Sequence, residues 1–387
     1  MTVTGRDRHR PNGHHAIQKG GRGGAVLLLA ATLFLGGCSG NTNSSGPAAP
    51  LPTGQIGSIE AVNLANGNCY VSDKASCSTN SSTGTSPITA LATLVSNGTK
   101  YLYQGDGGGN IYYAQVSGTA LPSPTQCSSP TTFPIQALAV SPTALIYSTS
   151  SGVYYHSLSS LPCTLSSPSY SNTSITLASG LTYAAGEFVG VTSNAQYFTC
   201  STTACNGPVS LPNLQDTNPN ITAIATDPSN TSIVYILSQG SSTNRIYFYY
   251  VSGNTLTYLG NYSGVELNYP SGIALFQGNN PTSNYCTTGS CTFMDVTNTG
   301  NSTITQYVLT YSGSGAQTSI SVNQFNNAYF NCDLINSSAI AAFSSALTYP
   351  NPSVFVGEQG KSTGPCFNIT SGTTFGNNTT AYKIVGE

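Results

Sequence analysis

Ile221-Thr222-Ala223-Ile224-Ala225-Thr226, Asp227-Pro228-Ser229-Asn230, Ile233-Val234-Tyr235-Ile236 and Arg245-Ile246-Tyr247-Phe248-Tyr249 follow one another within a single short stretch of the chain. Three runs of β-branched, aromatic and small apolar residues alternate with polar segments. Runs of this composition, too short for helices and bounded by Asn, Ser, Gly and Pro, read as strands. Asp227-Pro228 reads as the turn between the first two.

The first run recurs along the sequence. It returns as Ile88-Thr89-Ala90-Leu91-Ala92, Ile135-Gln136-Ala137-Leu138-Ala139-Val140, Ile175-Thr176-Leu177-Ala178, Ser271-Gly272-Ile273-Ala274-Leu275 and Ser338-Ala339-Ile340-Ala341. The first five copies begin 47, 40, 46 and 50 residues apart, and the last interval is about 66. The second run recurs as Tyr101-Leu102-Tyr103, Leu145-Ile146-Tyr147 and Phe188-Val189-Gly190-Val191. The third recurs as Ile111-Tyr112-Tyr113, Val153-Tyr154-Tyr155 and Tyr197-Phe198. No stretch after the leader sustains a helical period.

Three or four strands per 40–50 residues predict an all-β fold, a β-propeller of six or seven blades, each of three to four antiparallel strands. One thin sheet cannot bury both faces, whereas radial stacking buries them against neighbours. Ala90, Ala92, Ala137, Ala139, Ala223 and Ala225 suit the crowded innermost strand. The segment Gln55–Leu64 is expected to close the ring by pairing with Thr380–Val385. A pair of β-sandwiches and an irregular β-solenoid are the alternatives. The periodic pattern and the Asp227-Pro228 turn resemble propellers of the YVTN/NHL type, without a complete WD, kelch or NHL signature.

The leader is read separately. Arg6, Arg8, Arg10, Lys19 and Arg22 precede an apolar stretch from Ala25 to Leu35, which ends in Leu35-Gly36-Gly37-Cys38. A basic region, a short apolar region and small residues make an export signal. The apolar stretch falls short of the roughly 20 residues that a spanning helix needs. Leu35-Gly36-Gly37-Cys38 resembles the lipobox of bacterial lipoproteins. The resemblance implies cleavage before Cys38, fatty-acyl (palmitate-class) modification of Cys38 and attachment to a membrane. Two or three chains would hold where one would not. Ser39 after the Cys resembles the pattern that permits passage to the outer membrane of a diderm host, facing the periplasm or the surface. The expected organisation is a signal over 1–37, a flexible Ser/Asn/Gly/Pro tether over 38–53 and the propeller over 54–387.

Charge is scarce: 6% of the chain is Asp, Glu, Lys or Arg. Hydrophobic residues reach 39%, which separates the chain from disordered sequences of low hydrophobicity and high charge. After Cys38 the only basic residues are Lys74, Lys100, Arg245, Lys361 and Lys383. With no basic run, nucleic-acid binding is excluded as an expectation. A fold with few carboxylates has few ion pairs to lose on acidification. That predicts service in acidic or variable surroundings, the alternative being a merely Thr/Asn/Ser-rich surface.

Ten cysteines follow Cys38: Cys69, Cys77, Cys127, Cys163, Cys200, Cys205, Cys286, Cys291, Cys332 and Cys366. An even number in an exported chain implies disulfides. Pairing in sequence order is the simplest connectivity. No Cys-x-x-Cys occurs, and His156 is the one histidine after the leader, so thiolate metal sites and c-type haem are not expected.

Candidate chemistry is sparse. His156 lacks a recognisable nucleophile motif and reads as a strand-end histidine. Asp106, Glu187, Asp227, Glu266, Asp295, Asp333 and Glu358 fall about one per repeat, and a propeller could bring them to its channel around a metal, as in lactonase-like propellers. Asp106-Gly107-Gly108-Gly109-Asn110 offers weak oxygen ligands for Ca²⁺ in Asp106 and Asn110, but also reads as a hairpin turn. No cofactor is expected. The favoured role is non-enzymatic: a lipid-anchored envelope propeller that binds a protein or an envelope polymer. A metal-dependent hydrolase and a carbohydrate-binding module are the rivals. The discriminating feature is the channel lining, acidic for the hydrolase and apolar or Ser/Thr-rich for the binder.

Overall fold

The computed structural model describes residues 58–63, 69–71, 88–116, 124–128, 131–279 apart from 162, 164 and 166, 290–300, 303–329, 339–343, 353–357 and 380–385. The export signal, Cys38 and the tether over 38–53 lie outside the described residues.

Each repeat of the sequence becomes an antiparallel meander. The first blade comprises Ile88–Ser96, Thr99–Asp106, Ile111–Val116 and Thr125–Ser128. The second comprises Ala137–Ser141, Ala144–Thr149, Gly152–Ser157 and Tyr170–Asn172. The third runs Ala178–Ala184, Glu187–Thr192, Gln196–Cys200 and Cys205–Ser210. The fourth runs Asn220–Thr226, Ile233–Gln239, Arg245–Ser252 and Thr255–Tyr262. The fifth runs Pro270–Asn279, Ser290–Asn298, Thr303–Ser312 and Ser319–Tyr329. Strand order within each follows chain order.

The first strands of consecutive blades lie side by side, and Ala339–Phe343 touches both Pro270–Asn279 and Ile88–Ser96. The ring is thereby closed, and the all-β propeller is established. The expected six or seven like blades are corrected. Among the described residues five are four-stranded blades, and the ring is completed by a sheet of another make. This closing sheet has five strands, in the order Cys69–Val71, Ser58–Asn63, Thr380–Val385, Ser353–Gly357, Ala339–Phe343. Counting repeats overstated the regular blades because the last repeat is completed by strands from the other end of the chain. Ser58 pairs with Val385 and Asn63 with Thr380, so the two ends meet at the place expected for ring closure.

A second correction concerns the third repeat. The strand begins at Ala178, beyond the Ile175-Thr176-Leu177 of the expected run. Leu177 takes φ 60, which breaks an extended path. Ile175 nevertheless stays buried against the second and third blades.

The core is a series of layers between blades. One joins the first and second blades around Leu94, Tyr103, Leu138 and Tyr147. Others join the second to the third, the third to the fourth and the fourth to the fifth. Tyr103, Tyr147, Tyr235, Tyr247, Tyr249 and Tyr307 are fully buried. Large amphipathic rings occupy the radial space that widens away from the axis, and most of their hydroxyls find acceptors. Hydroxyl side chains stitch neighbouring blades at the inner strands. Thr93 Oγ1 donates to the Ala342 carbonyl at 2.8 Å, Ser148 Oγ to Ala178 at 3.3 Å and Thr222 Oγ1 to Pro270 at 2.9 Å.

Disulfides join Cys127 to Cys163 and Cys200 to Cys205, and Cys291 is also disulfide-bonded. The first ties the outer edge of the first blade to the segment after the third strand of the second. Cys77, Cys286, Cys332 and Cys366 lie outside the described residues, and Cys69 is described only as the backbone that opens a strand. Among the described residues no helix is long and apolar enough to cross a membrane.

Candidate functional site: the central channel

The inner strands all run the same way through the ring, and each carries a large aliphatic residue between small ones. The triplets are Ala90-Leu91-Ala92, Ala137-Leu138-Ala139, Gly180-Leu181-Thr182, Ala223-Ile224-Ala225, Gly272-Ile273-Ala274 and Ala339-Ile340-Ala341. The central residues of all six border two cavities at once. They therefore form a waist across the channel. The small neighbours let the strands approach and keep the space beyond the waist open.

On the side where the inner strands begin, the cavity is narrow, about 70 Å³, and bordered by Thr89, Gln136 and Ser179. On the side where they end, a chamber of about 620 Å³ opens to solvent past Val95, 51% exposed, and Tyr183, 38% exposed. That volume lies within the usual range of small-molecule pockets, about 300–1,000 Å³. Its lining is Leu, Ile, Ala, Val, Pro and Phe with Thr93, Ser141, Thr182, Thr226 and Thr231.

Among the described residues the lining holds one carboxylate, Asp227, and it is fully buried. Its Oδ1 accepts hydrogen bonds from the Ser229 N–H at 2.8 Å, the Ser229 hydroxyl at 2.6 Å and the Asn230 N–H at 3.3 Å. Its Oδ2 accepts the Tyr235 hydroxyl at 3.0 Å and the Tyr311 hydroxyl at 2.5 Å. The Asp-Pro turn thus ends in a carboxylate whose oxygens are both saturated by donors. Burial, then the neighbouring phenol and carboxylate, push the Tyr235 hydroxyl far above the ordinary tyrosine range. These groups hold the fourth and fifth blades together; they are arranged to keep protons, not to move them.

Of the other described candidates, Asp106, Glu187, Glu266 and Asp295, none borders either cavity. Asp106 is buried at the hairpin between the second and third strands of the first blade, where its Oδ1 accepts the N–H groups of Gly108 at 2.9 Å and Asn110 at 2.7 Å. The Asn110 amide donates to its Oδ2 at 3.0 Å. Asp106 and Asn110 therefore face each other as acceptor and donor, the hairpin reading, rather than as two ligands aimed at a cation. Gly109 sits at φ 82, and a Cβ there would strike the Thr131 carbonyl. Glu266 accepts Tyr262 at 2.6 Å and Tyr307 at 3.0 Å on the outer side of the fifth blade. Glu187 opens the second strand of the third blade, and Asp295 is buried in the second strand of the fifth. Asp333 and Glu358 lie outside the described residues. Among the described residues no group of three or more His, Cys, Asp or Glu side chains could hold a metal ion.

His156 is buried in the third strand of the second blade, its ring stacked on Tyr147 with centroids 5.4 Å apart. It borders neither cavity. Stacked tyrosine pairs occur, Tyr147 with Tyr154 and Tyr155 with Tyr170, but Tyr147 and Tyr155 are core residues and offer no platform to solvent.

Two features escaped the sequence reading. The waist is marked in five repeats by a large residue between Ala or Gly neighbours, but in the third it falls at Leu181, beyond the run read as the strand. Asp216 carried no such mark. It accepts Arg245 Nε at 2.8 Å, the Ser238 hydroxyl at 2.8 Å and the Tyr247 hydroxyl at 2.9 Å. Burial is the main reason that Tyr247 is pushed up to about 12; Asp216 adds to it, while the Gln215 N–H and Arg245 oppose it. Asp216 and Glu266 occupy matching places, each in the loop before an inner strand and each bonded to a third-strand tyrosine of the blade that follows.

No protein-family model and no curated protein sequence matches the chain. Solved propeller structures are similar at low identity. The WD40 β-propeller domain of Doa1 is 7% identical, covering 77% of this chain and 93% of its own, with a TM-score of 0.40. A protein from Lactobacillus plantarum is 14% identical, covering 70% and 96%, with a TM-score of 0.43. A protein from Thermus thermophilus, described as a putative oxidoreductase (glucose dehydrogenase), is 10% identical, covering 78% and 97%, with a TM-score of 0.45. At these values the likeness carries no argument about function.

Proposed function

We propose that the chain is a lipid-anchored propeller of the cell envelope that binds a protein partner and performs no chemistry of its own. One observation carries the non-enzymatic half: the channel lining is aliphatic and hydroxylic, and its single carboxylate is consumed by five hydrogen-bond donors. Acid–base or metal-assisted hydrolysis needs an unsatisfied base or converging oxygens, and the lining supplies neither among the described residues. The anchoring half rests on the lipobox resemblance at Cys38.

Support for a partner comes from the face where the inner strands begin. Phe133, Leu177, Val265 and Tyr269 sit in the loops that lead into inner strands and are exposed. Leu177 and Tyr269 also hold φ values of 60 and 51, a conformation costly for bulky residues. Both precede an inner strand directly, so the same strained, exposed placement occurs on two blades. Exposed apolar residues kept in strained backbone are a mark of recognition surfaces.

The test is cross-linking on intact cells followed by purification, alongside the double variant Leu177→Asp, Tyr269→Asp. A defined cross-linked protein that disappears with the double variant supports the proposal. A polysaccharide conjugate, or a partner retained by the variant, overturns this choice of face. Replacement Cys38→Ser should shift the protein out of the membrane fraction; unchanged fractionation overturns the anchor.

A further inference from the structure

We infer that the wide chamber of the channel is a binding site for one uncharged small molecule with an apolar body and a hydrogen-bond-donating end, a lipophilic alcohol or amide. This site is separate from the strained face above, and neither proposal requires the other.

The floor of the chamber sets the apolar body. Leu91, Leu138, Leu181, Ile224, Ile273 and Ile340 close it at the waist. Above them Ala92, Ala139, Ala225, Ala274 and Ala341 border the chamber with short side chains that leave its volume open. An ionised ligand would find no counter-charge there, because Asp227 has no free oxygen and the lining contains no Lys or Arg among the described residues. Removing a charge from water without a partner is far costlier than removing a hydroxyl.

Hydroxyl bookkeeping sets the polar end. A threonine has one proton to give and two lone pairs to offer. Thr226 spends its proton on the Tyr183 carbonyl at 3.0 Å. The 2.7 Å contact between Thr182 and Thr226 is then donated by Thr182. Thr93 spends its proton on Ala342. Thr93 and Thr182, both half-buried in the lining, are therefore left as acceptors. Their free lone pairs call for a donor on the ligand.

Three probes on one ring system separate these requirements: 1-pyrenemethanol, its methyl ether, and 1-pyrenecarboxylate. Fluorescence titration of the purified full chain should show saturable 1:1 binding of the alcohol. The ether should bind about tenfold more weakly, the effect of one lost hydrogen bond, and the carboxylate should not bind. Thr182→Val should reduce the preference of alcohol over ether, and Thr93→Val with Thr182→Val should abolish it. Should these variants fail to fold, Val95→Asp at the exposed rim serves instead, and it should weaken the alcohol at least tenfold. Val209→Asp, exposed on the outer strand of the third blade and outside the chamber lining, should leave all three unchanged. No saturable binding of the alcohol, equal binding of all three probes, or binding indifferent to the chamber variants would overturn the proposal.

Discussion

At the scale of single residues, the chain uses its few carboxylates as hydrogen-bond acceptors for neutral groups. Asp227 collects two tyrosine hydroxyls, Glu266 collects two, and Asp216 collects one together with a serine and the Arg245 guanidinium. Each carboxylate satisfies a phenol that would otherwise be stranded in a packed layer. Removing one partner of such a set costs more than the net value of the bond, because the other is left buried and dry. Asp227→Ala is therefore expected to lower unfolding free energy by about 1–3 kcal/mol, from the Tyr235 phenol left buried without its acceptor, whereas Tyr311, 37% exposed, can turn to water. Urea denaturation reads this as a lower midpoint with unchanged slope. Gly109→Ala should cost about 1–3 kcal/mol, since its φ of 82 and the nearby Thr131 carbonyl both reject a Cβ. A midpoint equal to that of the parent would show that the hairpin relaxes freely.

At the scale of elements, the blades depend on what lies between them. Leu181 packs between the second and third blades while bordering both cavities. Leu181→Ala should cost about 2–4 kcal/mol, with the spread set by how far the waist collapses. Thermal unfolding would measure it, and a loss near zero would mean that the inner strands do not support one another. The two disulfides act over different lengths of chain. Cys127 and Cys163 are 36 residues apart and Cys200 and Cys205 are 5 apart. On the chain-entropy account, loops of those sizes give about 4 and about 2 kcal/mol. Ser replacement of the longer pair should therefore lower the urea midpoint more, and the reverse order would mean that native-state packing outweighs loop entropy. The strands themselves were legible from alternating apolar runs and turn residues, since those preferences are set within a few residues. The start of the third blade was not, because Leu177 leaves the extended conformation to place Ala178 beside the second blade.

At the scale of the whole molecule, tyrosine dominates the response to pH. Tyr103, Tyr147, Tyr170, Tyr235, Tyr249, Tyr262, Tyr307 and Tyr311 all have hydroxyls pushed above the ordinary range, burial being the largest cause in each. The fold therefore favours the protonated phenol. That stability is fully present below the unfolded value near 10, and it is lost as pH rises through the folded values, of which Tyr247 at about 12 is one. Unfolding free energy should hold level up to about pH 10 and then fall steeply. Tyrosinate absorbance should rise together with the loss of circular dichroism; phenols that ionise while the fold persists would contradict this. The sequence alone determined the all-β class, the repeat, the shortage of charge and the meeting of the chain ends, because strand propensity and apolar alternation are local and are written residue by residue. Only the tertiary structure decided the make of the closing sheet, the burial of His156 in the core and, among the described residues, the placing of Asp106, Glu187, Glu266 and Asp295 away from the channel lining. Those outcomes depend on the angle at which each blade meets the next and on which way each side chain turns from its sheet, and residues far apart in the chain fix both together.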